Sequence, residues 1–351
     1  MSQINLTTGE IKNEILLRTD REGRNAWHLA SYGGKLDVMQ NIWEWAKERL
    51  TTGEIKNEIL LRTDRKGRNS LYLIAQLGNL DVRQAMWEWV KERLTTEEIE
   101  NELLLRTDRE GWNAWHVASY RGKLDVMQKI WEWAKERLTA EEIKYEMLLH
   151  RDRDGKNAWH IAAYWGKLDV MHNIWELAKE SLTTEEIKNE MLLRTDREGR
   201  NAWHIAAYGG ELDVMQKMWE WAKERLTTEE IKNELLLRTD HTGRNAWHLT
   251  AHLGNLDEMQ KIWEWAEGRL TAEEIKNEML LRTDREGRNA WHIAVYCGKL
   301  DVMQNIWEWA KGRLTTEEIK NEMLLRTDRE GRNAWHFAAY RGKLDVMQKM
   351  W

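Results

Sequence analysis

Seven histidines recur at one phase of the chain: His28, His116, His160, His204, His248, His292 and His336, with Tyr72 in the slot between the first two. Histidine is a common metal ligand and a ready general base, so such a column first suggests zinc chemistry. Zinc holds its nitrogens at about 2.0–2.1 Å. Helices stacked in successive repeats stand roughly 8–10 Å apart, too far for neighbouring column members to share one ion. The column is expected to be structural, and no metal or other cofactor is expected. His150, His172, His241 and His252 lie outside the column without ligand spacing. The single cysteine, Cys297, cannot close an internal disulfide, which favours a reducing compartment. There is no glycine-rich phosphate loop, nucleophile elbow or Cys/His set, and the abundant Asp and Glu recur in every copy as caps and surface charges do. Catalysis needs unlike groups converging in one pocket, so the chain is not expected to be an enzyme.

The spacing that sets these columns is an internal repeat. A turn aspartate recurs as Asp20, Asp64, Asp108, Asp152, Asp196, Asp240, Asp284 and Asp328, each 44 residues after the last, without insertion or deletion. Copy one is counted from Asp20. A repeat of this kind stacks unit on unit and can extend without a second core. With no proline and no linker, residues 1–351 read as one array of about eight copies, the last ending at Trp351 inside its second helix. The net charge of −6 offers no bulk attraction to nucleic acid or to an anionic membrane. No apolar run approaches the ~20 residues of a membrane span, and Met1–Glu10 carries no signal-peptide core. A monomer in the cytoplasm, or a piece of a longer chain, is the expectation, with no membrane insertion.

One unit reads directly. Asp196-Arg197-Glu198-Gly199 suits a type I turn. Asn201 caps a short helix over Ala202 to Tyr208, which Gly209-Gly210 ends. The apolar spacing of Leu212, Met215, Met218, Trp219 and Ala222 predicts a second helix to Arg225. Thr227 with Glu230 is a capping box for a third, Ile231 to about Leu237. The same Thr-x-x-Glu recurs from Thr7/Glu10 to Thr315/Glu318.

The stretch Asp-x-x-Gly-x-Asn-Ala-Trp-His-x-Ala-Ala-x-x-Gly-x-Leu-Asp-Val-Met resembles the ankyrin repeat, with its Gly-x-Thr-Pro-Leu-His-x-Ala-Ala and Gly-x-Leu-Glu-Val-Val in register. Asn-Ala-Trp-His stands here for Thr-Pro-Leu-His, and the 44-residue step exceeds the family's usual ~33 by the third helix. The resemblance implies an all-α, ankyrin-like solenoid with three helices per 44-residue unit. It also implies a structural hydrogen-bonding role for the histidine column, and a concave face on which proteins bind.

Tryptophan fills three more columns. Trp27, Trp115, Trp159, Trp203, Trp247, Trp291 and Trp335 form the first, with Leu71 in copy two; Trp43, Trp87, Trp131, Trp175, Trp219, Trp263, Trp307 and Trp351 the second; Trp45, Trp89, Trp133, Trp221, Trp265 and Trp309 the third, with Leu177 in copy four. Replacement by Leu points to burial. The second column reads as core, and the third as facing the added helix of its own copy, against residues such as Ile99, Leu103 and Leu105. Trp112 and Trp165 break the pattern, standing where other copies carry a cation or a varied residue, and read as exposed aromatic anchors.

The copies from Asp196 and from Asp284 differ at 7 of 44 positions, so variation singles out columns. The most variable is Gly33, Leu77, Arg121, Trp165, Gly209, Leu253, Cys297 and Arg341, beside Tyr32, Gln76, Tyr120, Tyr164, Tyr208, His252, Tyr296 and Tyr340. The resemblance puts both on the concave face with the turn tips. Tyrosine gives contact area at little entropic cost. Arginines after the turn Asp and after the turn Gly, Arg24, Arg200 and Arg288 among them, read as a net positive edge. The expected role is a protein-binding scaffold with a Tyr/Arg-lined face, engaging an acidic extended or helical segment through Arg24, Tyr32, Leu77, Trp112, Tyr120, Arg121, Tyr164, Trp165, Arg200, Tyr208, Leu253, Arg288, Tyr296, Tyr340 and Arg341. A structural or elastic spacer is the alternative, and nucleic-acid binding along the arginine edge a weaker one given the net acidity.

Overall fold

The turn aspartate organises the start of each copy. In the computed structural model, which describes residues 9, 11–77 and 80–350, the Asp196 carbonyl accepts from the Gly199 N–H at 3.1 Å. Its Oδ1 accepts from the N–H groups of Glu198 and Arg200 at 2.9 and 3.0 Å. Gly199 sits at φ +78°, where a side chain would be strained. Thr7, Glu10, Trp351 and the side chain of Leu77 lie outside the described residues.

Asn201 caps the first helix, Ala202–Gly209, by accepting from the His204 N–H, and left-handed Gly210 closes it. The second helix is Leu212–Arg225. Thr227 and Glu230 form the capping box of a single α-turn, Thr228–Glu230. The third helix then departs from the ordinary pitch: Ile231–Leu236 is a π-helix, with Leu237 N–H donating to the Lys232 carbonyl five residues back at 3.0 Å. The physical reason is burial. Ile231, Leu235 and Leu236 all face inward, and the wider turn brings the adjacent pair Leu235 and Leu236 to the side that Ile231 occupies. The device recurs eight times, from Ile11–Leu16 to Ile319–Leu324. There is no strand among the described residues, and the fold is an all-α repeat solenoid with three helices per 44-residue unit.

The chain divides into two compact units, Met1–Ala162 with Asp169–Leu182, and Ala163–Leu168 with Thr183–Trp351. In the first, Ala26–Gly33 packs on Ser70–Leu77, and the π-helix Ile99–Leu104 packs on the second helix of the next copy, Leu124–Arg137. In the second, Ala202–Gly209 packs on Ala246–Leu253, and Ile231–Leu236 on Leu256–Glu267.

Tryptophans fill these contacts. Trp203 and Trp219 lie 5.8 Å apart, and Trp265 of the next copy sits 5.2 and 4.8 Å from them. Trp247, Trp263 and Trp309 repeat the triad at 5.6, 5.3 and 5.0 Å, and Trp27, Trp43 and Trp89 in the first unit at 6.2, 5.4 and 5.2 Å. The third column, expected against the added helix of its own copy, makes its ring contacts with the preceding copy's other two columns. Aromatic rings gain from offset contact beyond burial alone, and the preceding pair presents two faces at once. Trp45, the first residue of the column, is exposed.

The histidines clamp the added helix. His204 Nε2 lies 2.8 Å from the Arg238 carbonyl, and Asn201 Nδ2–H donates to the Glu234 carbonyl at 2.9 Å. His28 and Asn25 repeat the pair on Arg62 and Glu58, at 3.0 and 2.8 Å. Burial pushes His116 down to about 3, and His248 and His292 to about 4. The folded chain keeps these rings neutral where the unfolded chain, titrating near 6.5, takes protons. Their contribution is full above pH 6.5 and is lost as pH falls toward 4. Urea midpoints measured across that interval should fall steadily with acidity; a midpoint that stays constant contradicts the clamp.

Candidate protein-binding face

The ends of the first helices carry the variable columns because each helix is short and stops at the glycine just beyond them. The tyrosines there keep free surface: Tyr32, Tyr164 and Tyr340 are exposed, and Tyr120, Tyr208 and Tyr296 half-buried. Their partners are one another and the turn cations. Tyr164 stacks on Tyr208 at 6.1 Å. The Arg200 and Arg288 guanidiniums lie 5.8 and 5.9 Å from the Tyr208 and Tyr296 rings. Arg121 lies over Tyr120 at 4.8 Å, and Arg341 over Tyr296 at 4.2 Å. Leu253 is half-buried at the same level. In the second unit, tyrosine and turn arginine meet on one edge.

That edge is not the net positive one read from the sequence. Arg24, Arg200 and Arg288 pair with the turn aspartates of their own copies, Asp20, Asp196 and Asp284, at 2.8, 2.9 and 2.9 Å. The Arg24 backbone N–H and guanidinium hold the Asp20 carboxyl below its usual range. Asp196, Arg197, Glu198 and Arg200 sum to zero, and most other turns do likewise. These arginines fix the turn first and are available to a partner second. The cations after the turn Asp are different: Arg65, Arg109, Arg285 and Arg329 are exposed and form no ion pair among the described residues.

Trp112 is also corrected. It is half-buried, and its Nε1–H donates to Asp152 Oδ2 at 2.9 Å while its ring meets Tyr120 edge-on at 5.7 Å. It takes the place of an arginine that bonds a turn aspartate, as Arg244 does with Asp284 at 3.2 Å, and is not an exposed anchor. Because the indole is neutral, Asp152 stays raised by its burial. Trp165 is 45 % exposed, edge-on to Tyr164 at 5.1 Å, as the broken column suggested.

Further repeat-breaking residues escape a reading confined to the groove columns. Lys66 is the one base in a column of Glu22, Glu110, Asp154, Glu198, Thr242, Glu286 and Glu330. His252 Nδ1 and Cys297 Sγ, each an exception in its column, meet at 3.3 Å, with burial pushing the thiol up. Glu258 stands in the core where other copies carry Val. No group of three or more His, Cys, Asp or Glu able to hold a metal exists among the described residues. No helix of the described residues is long and apolar enough to cross a membrane. Compared with models of known protein families and with curated protein sequences, the chain matches none.

Proposed function

We propose that the chain is a protein-binding scaffold of the ankyrin kind, offering the ends of its first helices and the adjoining turns to a protein partner. One observation carries this reading: the column that varies most inside a near-identical array lies at the exposed helix ends, beside tyrosines with free surface. The buried column of Trp203, Trp247 and Trp291 changes once, to Leu71 in copy two. Every turn but that of copy two sums to zero or below, so the edge carries little net positive charge for a polyanion, which argues against nucleic acid. The near-identity of copies five and seven favours the spacer reading, in which length is the product and no surface is selected.

Immobilised chain separates the two. The wild type should retain a discrete protein, and the double variants Tyr120→Ala/Arg121→Ala and Tyr164→Ala/Trp165→Ala, with unchanged circular dichroism, should lose it. Equal retention by all forms, or by none, removes the binding face and leaves the spacer.

A further inference from the structure

We infer that a cavity beside the turn of copy two receives the carboxylate of an acidic side chain in a bound peptide. This rests on the scaffold reading and names the partner chemistry at one place on its face.

The cavity measures about 550 Å3 and is bounded by residues of three successive copies in the first unit. Tyr32 stands on one side and Arg121 on the other, with Gln76 between them. Six of the eight copies carry tyrosine where Gln76 stands, and the shorter amide leaves room. Lys66 projects into the same space, and it is the copy-two departure from a column that is otherwise acidic or neutral. The turn Asp64, Arg65, Lys66 and Arg68 carries one negative and three positive charges; no other turn is net positive.

The free charge decides the ligand. Arg24 and Arg68, also on the wall, spend Nε and Nη2 on Asp20 and Asp64; their Nη1 groups take no part in those bonds. Lys66 and Arg121 are exposed and form no ion pair among the described residues. The Arg121 guanidinium lies over the Tyr120 ring at 4.8 Å, and its fork of N–H donors suits a carboxylate. Glu22 is the single acid of the lining. A carboxylate therefore meets two unpaired cations against one acid, and two further guanidiniums already oriented. A cationic side chain would be repelled, and an apolar one would strand the charges. The neighbouring turns of copies one and three sum to 0 and −1, so the net positive charge does not continue along the edge as a nucleic acid requires. The site suits one acidic residue of a peptide lying across copies one to three.

Fluorescence anisotropy of a fluorescein-labelled octaglutamate peptide with the full chain at low salt tests this. Lys66→Glu and Arg121→Gly place at these positions residues that the array carries at equivalent ones, so the fold is preserved. Each should weaken octaglutamate about tenfold, the effect of one lost charge-assisted contact. Arg285→Glu, at an exposed turn elsewhere, should leave the affinity unchanged, and octaglutamine should not bind. The inference is overturned if octaglutamate does not bind, if Lys66→Glu binds it as well as wild type, or if an oligouridylate binds in its place and loses affinity in Lys66→Glu. Failure here with continued loss of the protein partner in Tyr164→Ala/Trp165→Ala leaves the scaffold reading intact. Retention of no partner by any form ends the scaffold reading itself.

Discussion

Glu258→Val is expected to stabilise the chain by roughly 3 kcal/mol at neutral pH, the size of a pKa displaced by two to three units at ~1.36 kcal/mol each. Glu258 is 0 % exposed, and neither carboxylate oxygen has a hydrogen-bond partner in the protein. Equivalent positions hold the buried Val126, Val170, Val214 and Val302. Burial, reinforced by the negative charge of Glu211, pushes the Glu258 carboxyl from 4.5 to about 8. The folded chain keeps the proton over that interval while the unfolded chain has released it. Rising pH therefore favours unfolding, and the destabilisation grows from pH 4.5 to about pH 8 before levelling. Glu211, itself raised by burial, adds in the same direction. Urea unfolding at several pH values should show the stability advantage of the valine variant over wild type growing across this interval. Equal slopes would mean that Glu258 reaches water or a partner in the folded chain.

The second large effect concerns the tryptophan triads. Trp203→Ala should cost about 3–5 kcal/mol, the usual loss for an aromatic core truncation, because Trp203 is fully buried and touches both Trp219 and Trp265. Trp165→Ala should change stability by no more than ~0.5 kcal/mol, as surface substitutions do. Trp203→Phe is the informative control. The Trp203 Nε1 group is buried without a hydrogen-bond partner in the protein, so a phenyl ring gives up some area but also removes an unsatisfied donor. The phenylalanine variant should fall much closer to wild type than to alanine. Hydrogen exchange should place the alanine lesion in copies five and six, since each copy leans chiefly on its neighbours. A uniform loss of protection along the chain would show longer cooperativity than nearest-neighbour packing supplies.

Helices and columns were legible because they depend on local chemistry repeated in phase. Asn201, Gly210 and the Thr227/Glu230 box do in the structure what their types dictate. The π-turn was not legible: Ile231, Leu235 and Leu236 form an apolar set compatible with either helical pitch, and packing against the next copy selects the wider one. The arginine edge misled because Arg200 and Asp196 lie four residues apart, a spacing whose pairing depends on a turn geometry that sequence leaves open. Trp112 looked free for a similar reason, since its partner Asp152 lies in the next copy. Single core substitutions give no local sign of their compensation. Buried Arg83, where other copies carry Met, finds Asp125 at 2.5 Å, whereas Glu258 finds nothing. The tyrosine column kept the exposure expected of it, but which of its neighbours carry unspent charge needed coordinates.

The interchangeable triads bear on how such a chain changes over generations. The contacts Trp27–Trp43–Trp89, Trp203–Trp219–Trp265 and Trp247–Trp263–Trp309 use the same residues at nearly the same separations. Removing residues 240–283 would set Trp309 on Trp203 and Trp219, an encounter chemically identical to the one it leaves. Misaligned recombination between near-identical coding segments can then add or drop whole copies without creating a single unfamiliar interface. Selection on folding is blind to such events. The packing of this array does not constrain the number of its copies.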